Sequence, residues 1–121
     1  IAAAVATLKE IKEKNVVDHL WKMGQRLIDG LNKMCKDHDI VGAKAYADPV
    51  PSMPRFTWSP DVNNDMSHPV HQYFYGECFR YGLFFCPWHV AFINYSHTEK
   101  NIDEVLDICN YVMTKTKRIG N

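Results

Sequence analysis

Two spacings in this chain carry side chains that could do chemistry. His68 and His71 stand as His-x-x-His, and Cys86 and His89 as Cys-x-x-His. Imidazole and thiolate are the ligands zinc takes, four in a closed site or three beside an open position. Each pair supplies two, and no His-Glu-x-x-His pattern accompanies either. The histidine pair falls in a loop and the first turn of a helix, where solvated or capping histidines are the plainer reading. Cys86 with His89 is also the one local thiol–imidazole pairing of the kind that makes a cysteine nucleophile. Its setting, Phe84-Phe85-Cys86, reads instead as a packed thiol. No glycine-rich turn leads into a helix start, so a phosphate loop is not expected. Asp103, Glu104 and Asp107 fall on the solvent side of the last helix and read as solvating carboxylates.

Three further positions bear on function. Arg55 sits among apolar neighbours in "SMPRFTW". A guanidinium there can hold a carboxylate through two parallel bonds, or pack its stem and keep its head in water. His89 follows Pro87 and Trp88 at the mouth of an apolar run, either at the edge of a site or on plain surface. His97 stands between Ser96 and Thr98, where an apolar run turns into a helix. A histidine in such a corner is expected to bond neighbouring backbone and fix the turn.

These side chains need elements to hold them. The length, 121 residues, suits one domain, with a helix pair over 1–38 and a sheet with covering helices over 40–121. Ile1, Val5, Leu8 and Ile11 share one helical face, and Asn15 ends that helix. Val16, Leu20, Met23, Leu27, Leu31 and Met34 repeat at steps of three and four, an amphipathic helix in which Gly24 suggests a close helix contact. From residue 40 prolines punctuate the chain, and strands are expected at 41–47 and 55–58. After a loop, Ser67 is expected to cap a helix with Pro69 in its first turn. Val70, Phe74, Cys78 and Tyr81 form that helix's apolar side, and Gly82 stops it. The runs 83–87 and 90–96 read as two more strands. Thr98 then caps a last helix with Glu99 in its first turn, and Ile102, Val105, Leu106, Cys109, Val112 and Met113 form its stripe. Lys115, Lys117 and Arg118 suit its C-terminal end. The predicted class is α+β, two layers, with helices on one face of a small mixed or antiparallel sheet.

The totals exclude some functions. Fourteen basic and 14 acidic side chains cancel, so no electrostatic footprint for nucleic acid or an anionic membrane is expected. No apolar run reaches the roughly 18 residues of a span. Four widely spaced cysteines without a Cys-x-x-Cys pair point to a reduced, cytoplasmic protein. The chain opens at Ile1 as a helix already under way, without the features of a signal peptide, and is expected to be a piece of something longer.

The stretch "GLFFCPWHVAFINYSHTEKNIDEVLDICNYV" resembles the end of class III pyridoxal-phosphate (PLP) aminotransferases, in the branch of glutamate-1-semialdehyde aminomutase. There a Gly-Val-aromatic strand running to a proline leads to an apolar strand ending in His-Thr. An acidic helix start follows, matched here by Glu99, Ile102 and Asp103. The opening helices are similar to that family's pair linking its large and small domains. The resemblance implies the C-terminal small domain of a fold-type I PLP enzyme, acting on an amino acid or amino-aldehyde. In such a parent the large domain carries the PLP lysine, the aspartate at the pyridine nitrogen and the phosphate loop. This chain alone is then expected to hold no cofactor and to be inactive. Its expected partners are that large domain and, in the parent, a second subunit. Trp88, His89 and Arg55 become candidates for the substrate entrance, and Ser96, His97 and Thr98 a structural corner. Asn94, Ser96 and Cys86 depart from the family's usual residues, so its substrate is not carried over. Two other readings compete: a stand-alone binding module of the same fold, and a small zinc protein.

Overall fold

The computed structural model describes residues 1–59, 62, 65, 67–87 and 89–116. Helix α1 runs Ala2–Glu13 and helix α2 Val16–Asp37. Asn15 divides them at a φ of 50°, a left-handed conformation that asparagine tolerates better than most residues. Helix α1 buries nothing, so Ile1, Val5 and Leu8 stay exposed. Helix α2 buries Met23, Leu27 and Leu31 of the expected stripe together with Ile28 and Cys35, while Val16, Leu20 and Met34 are half-buried. It ends with Asp39 at a φ of 51° while the Ile40 N–H reaches back to the Cys35 carbonyl at 2.8 Å. This is a left-handed helix stop of the kind glycine usually makes.

Strands β1 (Lys44–Ala47) and β2 (Pro54–Thr57) pair antiparallel, with Ala45 opposite Phe56 and Tyr46 opposite Arg55. β1 starts three residues later than the sequence suggests, after Gly42 at a φ of 86°. Asn32 of α2 clamps it: the side-chain amide donates to the Ala45 carbonyl at 2.9 Å and accepts its N–H at 2.8 Å. Both backbone groups of an edge residue are thus satisfied by one helix side chain.

Gly24 does mark a close approach, but to a turn and not to a helix. A Cβ on it would stand 1.8 Å from the Pro51 carbonyl oxygen. The helix contact falls at Gly30, whose Cβ would meet the Leu106 side chain at 2.5 Å.

Helix α3 spans Pro69–Arg80. Its cap is His68, not Ser67: His68 Nδ1 accepts the Val70 N–H at 3.2 Å. Ser67 is engaged elsewhere, its N–H and hydroxyl both donating to Asp65 Oδ1, at 2.9 and 2.6 Å. A charged carboxylate two residues back outcompetes the helix end for that hydroxyl. Tyr81, expected inside, is the exposed C-cap and meets Tyr111 edge-on at 5.2 Å. Gly82 closes the helix at a φ of 84°, with the Leu83 N–H on the Cys78 carbonyl at 2.9 Å.

Helix α4 spans Glu99–Thr116. Thr98 caps it in a reciprocal box: the Asn101 N–H donates to Thr98 Oγ1 at 3.2 Å, and the Thr98 N–H to Asn101 Oδ1 at 3.0 Å. Asp103 does more than face water. It takes two bonds from Arg26 of α2, at 2.8 and 3.0 Å, and Glu99 pairs with Lys22 beside it. Lys117 and Arg118 lie outside the described residues.

The runs 83–87 and 90–96 are not strands. Ala91 and Ile93 do align with the start of β2 and the residues before it, donating to Pro54 O at 2.8 Å and Ser52 O at 2.9 Å. An antiparallel ladder needs each bond returned. Pro54 has no N–H to return one, and among the described residues the sheet has two strands. The architecture is α+β: α2 packs against both strands, Phe74 of α3 meets Phe56 of β2 at 5.5 Å, and α4 packs on α2 and α3. Phe74, Met23, Leu31, Met113, Val112, Cys78 and Cys109 are its most buried side chains.

Candidate functional site

Beside β2 the loop after α3 leaves a narrow crevice of about 10 Å³, room for about one water. Arg55, Tyr75, Cys86 and His89 line it, over Leu27 and Leu31 of α2. β2 carries Arg55 opposite Tyr46, and Arg55 Nε donates to Asp48 Oδ2 at 2.6 Å. The Arg55 side chain is 28% exposed, so its guanidinium stands at the border of water and protein. The partnership with Asp48 fixes its direction more than it stabilises the fold, since half-exposed pairs are worth about 0–1 kcal/mol.

Tyr75 comes from α3. Burial pushes its phenol up to about 12, so it is a neutral hydroxyl at any physiological pH. His89 is exposed, and its ring packs beside Phe92 at 6.1 Å. Its Nδ1 donates to the Val90 carbonyl at 2.7 Å. A carbonyl only accepts, so the proton sits on Nδ1 and the neutral ring keeps the lone pair of Nε2 for another group. Cys86 is exposed, contrary to the packed thiol its neighbours suggest, while Cys35, Cys78 and Cys109 are buried. Phe84 faces out as well, at 76% exposure, while Leu83 and Phe85 pack against the core, so the run around Cys86 alternates between core and surface. Trp88 lies outside the described residues.

Behind this crevice opens a cavity of about 570 Å³. The segments 82–86 and 89–93 line it together with the inner face of α4.

The corner is built from side chains returned to backbone. His97 Nδ1 accepts the Asn94 N–H at 3.2 Å, and Asn94 Oδ1 accepts the Ser96 N–H at 3.0 Å. His19 of α2 reaches across, donating from Nε2 to the His97 carbonyl at 2.8 Å while its ring meets Tyr95 edge-on at 5.1 Å. His19, Asn94, Asn32 and Tyr75 escape sequence reasoning. Asn94, two residues before Ser96, does carry a turn signal that could have shown its part.

Of the two zinc pairings, Cys86 and His89 share the crevice, and His68 and His71 take different settings. His68 caps α3, whereas His71 is buried against Trp58 and Tyr75, and burial lowers its pKa. Among the described residues no three His, Cys, Asp or Glu side chains converge as metal ligands would. Nor does either opening suit PLP, which takes a lysine for its aldehyde and an acid for its ring nitrogen. The crevice is lined by neither, and the cavity has Glu104 but no lysine. Among the described residues no helix is long and apolar enough to cross a membrane.

No protein-family model and no curated protein matches this chain. A solved structure does. The chain superposes on the Sphingopyxis sp. MTA144 FumI protein, solved in its PLP internal aldimine form, with a TM-score of 0.79 and 23% identity. The match covers 97% of this chain and 27% of that one. At this identity the likeness is one of fold, and the chain spans about a quarter of the solved protein's length. The α+β arrangement of helices under a narrow sheet is therefore one that also occurs as part of a larger, PLP-bound protein.

Proposed function

We propose that these residues form the small domain of a PLP-dependent enzyme, an aminotransferase or aminomutase of the class III kind near glutamate-1-semialdehyde aminomutase. The fold shared with FumI over 97% of the chain carries this reading. The residue pattern from Gly82 to Leu106 supports the class. In this reading the cofactor and its lysine belong to a larger companion domain, and the assembled enzyme is a homodimer. The crevice faces the substrate's path. Arg55 offers a cation to a carboxylate, Tyr75 a neutral hydroxyl, and His89 a free Nε2 to an amine or hydroxyl. Trp88 adjoins His89 in sequence. Four free thiols, three of them buried, favour a reducing compartment such as the cytoplasm.

The test uses the full-length gene product. Borohydride should fix PLP to one lysine, and peptide mapping should place that lysine outside residues 1–121. A labelled lysine within them, or a product that binds no PLP, refutes the proposal. In the same protein His89→Ala should raise KM or lower kcat for the amino substrate, and leaving both unchanged would remove His89 from the entrance.

A further inference from the structure

Tyr81, Tyr95 and Tyr111 are almost equally open to water, at 47%, 48% and 44% exposure. Their surroundings differ. Lys115, one turn further along α4, donates from Nζ to the Tyr111 hydroxyl oxygen at 2.5 Å, and its ammonium stands over the same ring at 4.3 Å from the centre. Tyr81, the C-cap of α3, meets that ring edge-on at 5.2 Å and turns its own hydroxyl proton to the Tyr111 oxygen. One phenol oxygen thus takes two donors, one of them a cation. Glu77 of α3 faces both phenols with the opposite sign, but Arg80 stands 3.7 Å from its carboxylate. Tyr73 of α3 faces Lys115. Tyr95 has no such donors: its ring packs on His19.

Donors aimed at an oxygen favour its charged form, and a phenol so placed is an activated nucleophile. The bond from Lys115, and then the one from Tyr81, hold the Tyr111 phenol below its ordinary 10, while the same contact raises Tyr81. Lys115 moves the other way from Tyr111. Its bond to the phenol lifts it above the ordinary 10.5, so the nitrogen stays protonated and has no lone pair to offer. Among these three side chains the nucleophile is therefore the Tyr111 oxygen and not the amine beside it. We propose that Tyr111 is a covalent modification site that takes an acyl group from an activated acyl donor. The Tyr111 oxygen attacks the acyl carbonyl and forms the C–O bond of an ester. The bond to the leaving group breaks, and the phenolic proton departs with that group. None of these residues lines the crevice or the cavity, so the site stands apart from the function proposed above and needs no PLP.

The probe is N-acetylimidazole, added to the folded 121-residue chain at about pH 8 and followed by peptide mass mapping over the six tyrosines. Imidazole is the leaving group, and the product at Tyr111 is an acetyl ester that hydroxylamine removes. Exposure alone would acetylate Tyr81, Tyr95 and Tyr111 at equal rates. The donors at Tyr111 should make it react about threefold faster than Tyr95, and Tyr81 should react more slowly than either. Lys115→Met removes the cation and keeps an apolar stem, and should bring Tyr111 back to the rate of Tyr95. Lys115→Arg restores the cation and should restore the rate, an outcome that a merely structural role for Lys115 would not require. If Lys115→Met disturbs the circular dichroism, the order of the three tyrosines in the unaltered chain decides. Equal rates at Tyr95 and Tyr111, or a folded Lys115→Met chain in which Tyr111 reacts as before, overturns the site. A hydroxylamine-resistant acetyl group on Lys115 in place of the ester overturns it too, because the nitrogen is then the nucleophile.

Discussion

Replacing Gly24 by alanine tests whether the Asp48–Met53 turn is seated on α2 as described. A Cβ at residue 24 would lie 1.8 Å from the Pro51 carbonyl oxygen and 2.4 Å from its carbon. Both are backbone atoms and cannot rotate aside. Overpacking costs about 1–3 kcal/mol, and the upper end applies where no side chain can yield. Alanine returns about 1 kcal/mol of helix propensity. The net is a loss of about 2 kcal/mol, or about 10 °C in Tm for a chain of this size. Gly76 is the control, a glycine inside α3 with nothing within 4 Å of its Cβ position. Gly76→Ala keeps the propensity gain alone and should stabilise by about 1 kcal/mol. Urea unfolding of both variants at equal m reads the difference directly. The seating also matters to the crevice, because the displaced turn carries Asp48, the partner of Arg55. A Gly24→Ala chain as stable as the unaltered one would refute the contact and with it the placing of Arg55.

Two further outcomes follow from burial. Native chain should react with an aromatic disulfide reagent at Cys86 alone, and at all four thiols once unfolded, because Cys35, Cys78 and Cys109 are buried. Comparable native rates at two or more cysteines would contradict the described core. Burial, and then the neighbouring His68, hold the His71 imidazole below its ordinary 6.5. The unfolded chain thus takes a proton near pH 6.5 that the folded chain takes only at lower pH. The contribution of His71 is complete above 6.5 and is lost as pH falls from there. Ring NMR titration of His71 giving a midpoint at or above 6.5 would reverse that sign.

Helices were legible because their signal is periodic and local. The stripe of α2, the Thr98 cap and the Gly82 stop each need only the residues within a turn or two. Caps fail where competitors are close: Ser67 prefers Asp65 to the helix end, and His68 takes its place. The sheet was half legible. Apolar runs at 83–87 and 90–96 have strand composition, but pairing is decided by the partner: the second run meets Pro54 through Ala91, and the first has no strand beside it among the described residues. The exposure of Cys86 was misread for the same reason, since an apolar run is buried only if something covers it.

The candidate site follows from that one failure of pairing. Arg55 and His89 are 34 positions apart, and nothing in either local sequence joins them. They come to one crevice because Ala91 and Ile93 hang on the carbonyls of Pro54 and Ser52, which brings His89 beside β2. With an N–H at residue 54 the ladder could close on both sides, and the segment from Cys86 to Ile93 could settle as a regular strand. The missing donor leaves that segment hung from one side. His89 is then free to turn its Nδ1 onto the Val90 carbonyl, and Phe92 keeps its outer edge open. Crevice and cavity are two openings beside the same segment, and Phe85, Cys86, His89 and Ala91 line both. A substitution that stiffens residues 89–93 should therefore move the reach of His89, read as a changed KM of the full-length enzyme for its amino substrate.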